Sequence, residues 1–390
     1  MAEFDISIIG AGPAGASAAL GLANLGFSVA LFDRKRPGSI PTDGKMDPRV
    51  VAISPGSMAW LEQIGAAQHL QQDRMAPFYR MRVCSGQQSL EFVAEEHGLD
   101  QLGWIIEIAN LNDALWQAAG HHHQQGKLER IIPGEIDQFR LRSDRNRLTL
   151  SDGRSVRSHI LIGADGARSQ VRDAAGIEWT VDDYNQRAIV TPLASNRPNT
   201  GMAWQRFTGH GPLALLPLPD QGSSLVWSVP FDRADELLAM DDDEFLAALN
   251  QAAIDPPFGE LTSVGARHAL PLARRQSRQL VFDRVALIGD AARSVHPLAG
   301  QGMNLGLADA AELVHCLDGW DTAIDPETRL ARFARRRLSD SSLIAGGIHL
   351  INESQMFGAL PRQLGMGAAF KLLSRSRLAR EPFVRRACGI

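Results

Sequence analysis

A chain of 390 residues, 44% hydrophobic and 22% charged, is long enough for two or three globular domains with sizeable cores. Its net charge of -4 offers no field for nucleic acid, which is therefore excluded as an expected partner. Three scattered cysteines, Cys84, Cys316 and Cys388, match no metal spacing and no disulfide framework, so a reducing, cytoplasmic setting and no metal are expected.

The opening "MAEFDISIIG" has no basic region ahead of its apolar run, so no signal peptide is expected. No stretch reaches the ~18–20 apolar residues of a membrane-spanning helix. Ile6, Ile8 and Ile9 predict a strand ending at Gly10. Gly10, Gly12 and Gly15 then fit G-x-G-x-x-G, with Pro13 and Ala14 inside the motif. Ala19, Leu22 and Ala23 continue along one helical face to Gly26, and Val29 to Leu31 predict a second strand ending at Asp33. Each part has a reason. Gly10 allows the tight turn, Gly12 lets a pyrophosphate approach the backbone, and Gly15 lets the helix sit close to the sheet. The helix N-terminus offers free N–H groups and a positive dipole end. Asp33 falls roughly 20 residues on, where an acid can accept hydrogen bonds from a ribose and disfavours a 2′-phosphate.

"DPRVVAIS" (47–54) is a short segment containing Arg49, and "PGSMAWLEQIG" (55–65) has helical spacing. Strands are expected between Phe78 and Phe92, a helix at "LNDALWQAA" (111–119), and a hairpin with an Asp-Gly turn at "RLTLSDGRSV" (147–156). His121, His122 and His123 are expected in a surface loop after that helix, since consecutive histidines do not easily share a metal. The stretches 187–194, 202–208 and 212–230 read as strands, the last a hairpin around Asp220–Gly222. They predict a mixed sheet set apart from the first domain. "DDDEFLAALNQAA" (241–253) is an acid-capped helix, and Arg335 to Arg337 are expected on a solvated helix face.

Two more acids sit at strand ends, where open α/β sheets bind ligands: Asp165 after Ile160–Ile162, and Asp290 after Val285–Ile288. Either could instead cap the helix that follows. "GQGMN" (300–304) opens a helix carrying Leu305, Ala308, Ala311 and Glu312, its positive end aimed at something electron-rich.

Together Gly10-x-Gly12-x-x-Gly15, Asp165-Gly166 and Gly289-Asp290 resemble the flavoprotein aromatic hydroxylases of the para-hydroxybenzoate hydroxylase type. The string "GDAARSVHPLAGQGMNLGLADAAEL" is similar to the ubiquinone-biosynthesis hydroxylases within that family, as are "LIGADGARSQVR" and "LLPLPDQGSSLVWSV". The resemblance runs in order from residue 5 to about residue 340. Two places depart from it. Members usually read Gly-Asp-Ala-Ala-His where this chain has Arg293, and many carry Arg or His after an acid where "IIEIANLNDALW" offers Ile108, Ala109 and Asn110.

The resemblance implies an α/β (α+β) fold. A Rossmann-like FAD-binding domain (1–77, 104–177 and 268–340) would be interrupted by a mixed β-sheet substrate domain (78–103 and 178–267), with C-terminal helices over 341–390. It implies an FAD-dependent monooxygenase in which NAD(P)H, a transient reductant without a Rossmann domain of its own, reduces the flavin. Molecular oxygen then forms a C4a-hydroperoxide that hydroxylates a polyprenylated phenol in ubiquinone biosynthesis. The implied cofactor residues are Gly10, Gly12, Pro13, Ala14, Gly15, Asp33, Arg34, Arg49, Asp165, Gly289, Asp290, Pro297, Gly300, Gly302, Met303 and Asn304. His296 and Pro297 are the catalytic candidates; Trp204, Phe207, Leu215 and Trp227 are the substrate candidates. The expected substrate is a small lipophilic aromatic. Peripheral contact with the inner face of the membrane, through the Arg-rich C-terminal helices, and a quinone-biosynthesis complex are the expected associations. The alternatives are a hydroxylase of a soluble aromatic on the same fold, or a non-catalytic FAD-bearing subunit.

Overall fold

In a computed structural model of the protein, residues 2–41, 46–142, 144–294 and 301–338 are described, with 381, 384–386 and 388–389 near the C-terminus. The chain opens with β1 (Ala2–Ile9), α1 (Pro13–Asn24), β2 (Val29–Phe32), β3 (Val50–Ile53) and α2 (Pro55–Gln63). β4 (Met75–Phe78), β5 (Arg80–Ser85), β6 (Gln88–Val93) and β7 (Gly103–Glu107) lead into α3 (Ile108–Gln124). β8 (Leu128–Ile131), β9 (Ile136–Arg140), β10 (Asn146–Leu150) and β11 (Ser155–Gly163) precede α4 (Gln170–Ala174). β12 (Trp179–Ser195), β13 (Met202–Phe207), β14 (Pro212–Pro217) and β15 (Ser223–Pro230) are followed by α5 (Phe231–Ala239) and α6 (Asp242–Ala253). β16 (Leu261–Val264), β17 (His268–Ser277), β18 (Val281–Phe282), β19 (Val285–Leu287) and β20 (Arg293–Ser294) bring the chain to α7 (Gln301–Leu317). A further helix covers 327–338.

Two large sheets organise the molecule. In the first, β19, β11, β1, β2 and β8 run parallel in that order. The hairpin β9–β10 joins the N-terminal half of β11, through the expected Asp-Gly turn. A parallel sheet buried on both faces needs near-continuous apolar strands. Ile6, Ile8, Ile160, Ile162 and Val285 supply them, in one core with Leu20 and Leu22 of α1, Leu115 of α3 and Leu313 of α7. Gly21 permits the close approach of α1 to its neighbours: a Cβ there would lie 2.7 Å from Trp60 and 2.8 Å from Val314.

The second sheet is mixed, in the order β20, β17, β12, β15, β14, β13, β5 and β6, with β16 also on β12. β13 and β5 are parallel; the other pairs along the order are antiparallel. Its outer face carries α5 and α6, the latter started by a capping box between Asp241 and Glu244. A three-stranded antiparallel sheet, β3–β7–β4, lies in the chain between these units. One expected boundary moves. Residues 268–277, grouped with the cofactor domain in the sequence reading, form β17, which pairs along β12 in the second sheet.

Other expectations change too. His121, His122 and His123 form the last turn of α3 rather than a loop: Gly120 sits inside the helix without ending it, and the first left-handed residue is Gly126, with φ +72°. No metal-binding group of side chains occurs among the described residues. Arg337 is buried rather than solvated. The three cysteines are buried and free. No described helix is long and apolar enough to cross a membrane. Most of the expected C-terminal helical region, 341–380, lies outside the described residues.

Candidate active site

Five parallel strands deliver their C-terminal ends to one edge of the first sheet. The turn after β1 is tightly determined. Gly10 has φ +105°, and a Cβ there would stand 2.3 Å from the Ala164 carbonyl oxygen; one at Gly15 would stand 1.9 Å from the Gly10 carbonyl oxygen. Gly12 is different. It caps α1 with no side chain, Pro13 follows as the first helical residue, and a Cβ at Gly12 would meet nothing within 4 Å. The first-turn N–H groups of Ala14 and Gly15 have no carbonyl within the helix to accept them. Asp33, at the end of β2, accepts the Ala11 N–H through Oδ2 at 2.8 Å and so holds this turn in place. Arg34 is exposed beside it.

The turn after β19 carries Gly289, with φ +58°, and Asp290. The Asp290 side chain is reachable by solvent but protein crowds around it, and this desolvation pushes its carboxyl above the usual aspartate range while Arg275 pulls it down. No hydrogen bond ties that carboxylate to another described residue. Asp309 on α7, absent from the expected site, positions the turn: its Oδ2 accepts the Gly289 N–H at 3.0 Å. The same carboxylate is ion-paired with Arg293 and, at 2.6 Å, with Arg337. Arg293 thus has a structural role. It ties β20, at the edge of the second sheet, to the helix that faces the first.

Between these turns and the second sheet lies a cleft of about 480 Å³. Gly12, Pro13, Ala14, Ala164, Gly166, Gly289, Asp290, Gly302 and Met303 form its polar-backbone side. Val50, Val51, Ala52, Phe78, Met81 and Ile105 form an apolar side, and Ala203, Gln205, Ala214, Leu216 and Val226 a wall of the second sheet. A larger hollow of about 800 Å³ borders a different face of α7, near Trp60, Val314 and Arg385. Among the described candidate cofactor residues, Asn304 alone borders that hollow, so the smaller cleft is the candidate site.

Several of the expected residues have partners within the protein. Asp165 caps α4, accepting from Ser169 Oγ at 2.5 Å and from the N–H groups of Gln170 and Val171 at 2.7 and 3.3 Å. Burial raises its carboxyl, and these bonds oppose that rise. Arg49 is turned outward onto Asp47, whose N–H in turn donates to Glu107. Glu107, fully buried, is gripped by Arg74 at 2.6 and 2.8 Å, an ion pair the sequence reading missed. The Asn304 side chain clamps α7 to the β3–α2 junction: it accepts the Ser54 N–H at 2.9 Å and donates to the Ala52 carbonyl at 2.8 Å. Trp204, Leu215 and Trp227 belong to the outer core with Phe245 and Leu249 of α6. Trp204 borders the cleft, but it and Trp227 are only 2% and 1% exposed. Phe207 is buried outside the cleft lining. Strand side chains alternate between faces, so the wall consists of the neighbours of the expected residues. His296, Pro297 and Gly300 lie outside the described residues.

The model of the FAD binding domain matches residues 3–338. This chain is an FAD-binding monooxygenase. It belongs to the ubiquinone-biosynthesis hydroxylase family: it is 35% identical over 354 residues to the 3-demethoxyubiquinol 3-hydroxylase of Escherichia coli, covering 89% of this chain and 88% of that one. It is 33% identical over 393 residues to the ubiquinone hydroxylase UbiL of Rhodospirillum rubrum (99% and 89% covered). The human ubiquinone biosynthesis monooxygenase COQ6 is 33% identical over 370 residues (80% and 76% covered). Among solved structures, PqsL of Pseudomonas aeruginosa superposes with a TM-score of 0.76 at 21% identity (96% and 100% covered). The p-nitrophenol 4-monooxygenase PnpA of Pseudomonas putida does so with 0.76 at 16% (100% and 99% covered). These two likenesses speak to the fold. The monooxygenase uses FAD with NAD(P)H as reductant, and its residues fit the cofactor. Gly12 leaves space where a phosphate must come close, and unpaired N–H groups stand behind it.

Proposed function

We propose that this monooxygenase hydroxylates the aromatic ring of a polyprenylated phenol in ubiquinone biosynthesis. The observation that carries the reading is the character of the cleft. Among its described lining residues Asp290 is the one charged side chain, and none of them is a lysine or arginine. A small aromatic acid would need a cation to hold its carboxylate in such a place. Val50, Phe78, Met81, Ile105 and Leu216 suit a lipophilic ring instead. The names of the relatives, among them a 3-demethoxyubiquinol 3-hydroxylase, support the same substrate class.

When bound, FAD supplies the redox and oxygen-activating chemistry. The chain's own part is to bind, orient and exclude water. In this proposal the N–H groups at the start of α1, opened by Gly12, receive the pyrophosphate, and Asp33 holds the turn that presents them. Asp290 accepts a hydroxyl of the cofactor's sugar-alcohol chain, a hydrogen bond that its crowded carboxylate otherwise lacks. The N-terminal turn of α7, at Gly302 and Met303, lines the cleft and would stabilise negative charge that the cofactor gains on reduction. The apolar wall keeps water from the reacting centre. His296, between the cleft-lining Ser294 and Gly302 in sequence, is our candidate to take the phenol proton.

A polyprenyl substrate resides in a bilayer, so peripheral contact with the inner membrane face belongs to the same proposal. Quinone profiling of a strain lacking the protein tests it: a prenylated precursor one ring oxygen short should accumulate. An unchanged quinone pool, with purified enzyme that hydroxylates only soluble aromatics, would refute it.

A further inference from the structure

The wall that the second sheet turns to the cleft is built of small and apolar residues, with one interruption. Cross-strand pairing aligns Val83, Gln205, Ala214 and Val226 in a row across β5, β13, β14 and β15. The carboxamide of Gln205 stands in the middle of that row. Gln205 is 7% exposed, borders the cleft, and makes no side-chain hydrogen bond to any described residue. A primary amide brings two donors and an acceptor, and leaving them unpaired in an apolar wall is unfavourable. Ala203 and Ala214, which also border the cleft, leave room in front of it. Ser294, another uncharged polar lining residue, lies on β20, five strands along the sheet from β13.

We infer that Gln205 determines substrate orientation: its carboxamide hydrogen-bonds the ring oxygen of the phenol and so fixes which ring carbon is presented to the cofactor. This inference rests on the lipophilic-phenol reading above. That substrate class brings the polar atom that the amide lacks, on a ring flat enough to lie over the alanines. A site with a buried hydrogen-bonding group discriminates strongly against an analogue without the matching atom.

The test uses the FAD-loaded enzyme with two probes, a short-chain 2-prenylphenol and the prenylbenzene without the ring oxygen. Dissociation constants are read from the perturbation of bound-flavin absorbance, and hydroxylated products are resolved by chromatography and mass spectrometry. Wild type should bind the phenol about 10-fold more tightly than the prenylbenzene and give one product. Gln205→Met, close in size and apolar, should lose most of that ratio and spread hydroxylation over several ring carbons, with FAD still bound. An unchanged ratio with a single product in the Met variant would overturn the inference. Should that variant fail to retain FAD, Gln205→Asn, whose amide is one methylene short, is read in the same way. Wild type that binds neither probe overturns the substrate reading and this inference together. Wild type that separates them, with variants that also do, overturns the Gln205 assignment alone.

Discussion

Asp309→Asn removes one negative charge from a site that holds two guanidinium groups. Asp309 is 1% exposed, and its carboxylate is the shared partner of Arg293 and Arg337, both nearly buried. Breaking a buried ion pair by deleting one partner costs about 3–5 kcal/mol, because the charge left behind stays buried and loses the carboxylate that offset its desolvation. Native stability is itself only roughly 5–15 kcal/mol, so the loss is large. At roughly 2 °C per kcal/mol for a protein of this size, the melting temperature should fall by about 6–10 °C. Scanning calorimetry on the apo-protein checks this. The asparagine oxygen can still accept the Gly289 N–H, whereas Asp309→Leu cannot, so the leucine variant should also lose FAD occupancy. A third variant isolates charge from shape. Arg293→Met, Asp309→Leu and Arg337→Met together remove all three charges and should recover most of the melting temperature, but not the occupancy. A melting temperature within about 2 °C of wild type for Asp309→Asn alone, equivalent to about 1 kcal/mol, would refute the reasoning.

The glycines of the first turn should separate fold from cofactor. Gly12→Ala meets no protein atom, so stability should hold or rise by about 0.4–1 kcal/mol while FAD affinity falls at least about tenfold; equal affinity by fluorescence titration would remove Gly12 from the phosphate site. Gly15→Ala should fail to fold, since its Cβ would collide with backbone at 1.9 Å. Asp290 has a raised carboxyl in the folded state, so its contribution is greatest at low pH and is lost as pH rises through the folded value. Asp290→Asn should therefore flatten that part of the apo-protein's pH–stability curve and leave it at least as stable at neutral pH, yet lower FAD occupancy; unchanged occupancy would contradict the assigned role. Trp227→Ala should cost about 3–5 kcal/mol by opening the outer core, as denaturant unfolding would show. Ala214→Leu, on the opposite face, should leave stability nearly unchanged and weaken substrate binding; the reverse pattern would invert the assignment of sheet faces.

The amino-acid sequence by itself determined the parts of this monooxygenase that depend on local rules. Strand, glycine turn, helix and second strand follow one another over residues 6–33, and each is dictated by neighbours a few residues away. The hairpins, the acid-capped helix at 241 and the mixed second sheet were legible for the same reason. So was the family, because its motifs are short and contiguous. What needed the tertiary structure was everything set by distant partners. Asp165 and Asp290 look alike as strand-end acids, and only the neighbours of each carboxylate distinguish a helix cap from an open ligand. Arg293 has no meaning until Asp309, 16 residues further along the chain, is brought against it. The bulky tryptophans draw attention in the sequence. The strand period of two sends them to the outer core, where α5 and α6 can bury them, and leaves Gln205 and the alanines facing the cleft. Which face of a strand meets which layer is decided by packing between elements, and no local pattern encodes that choice alone.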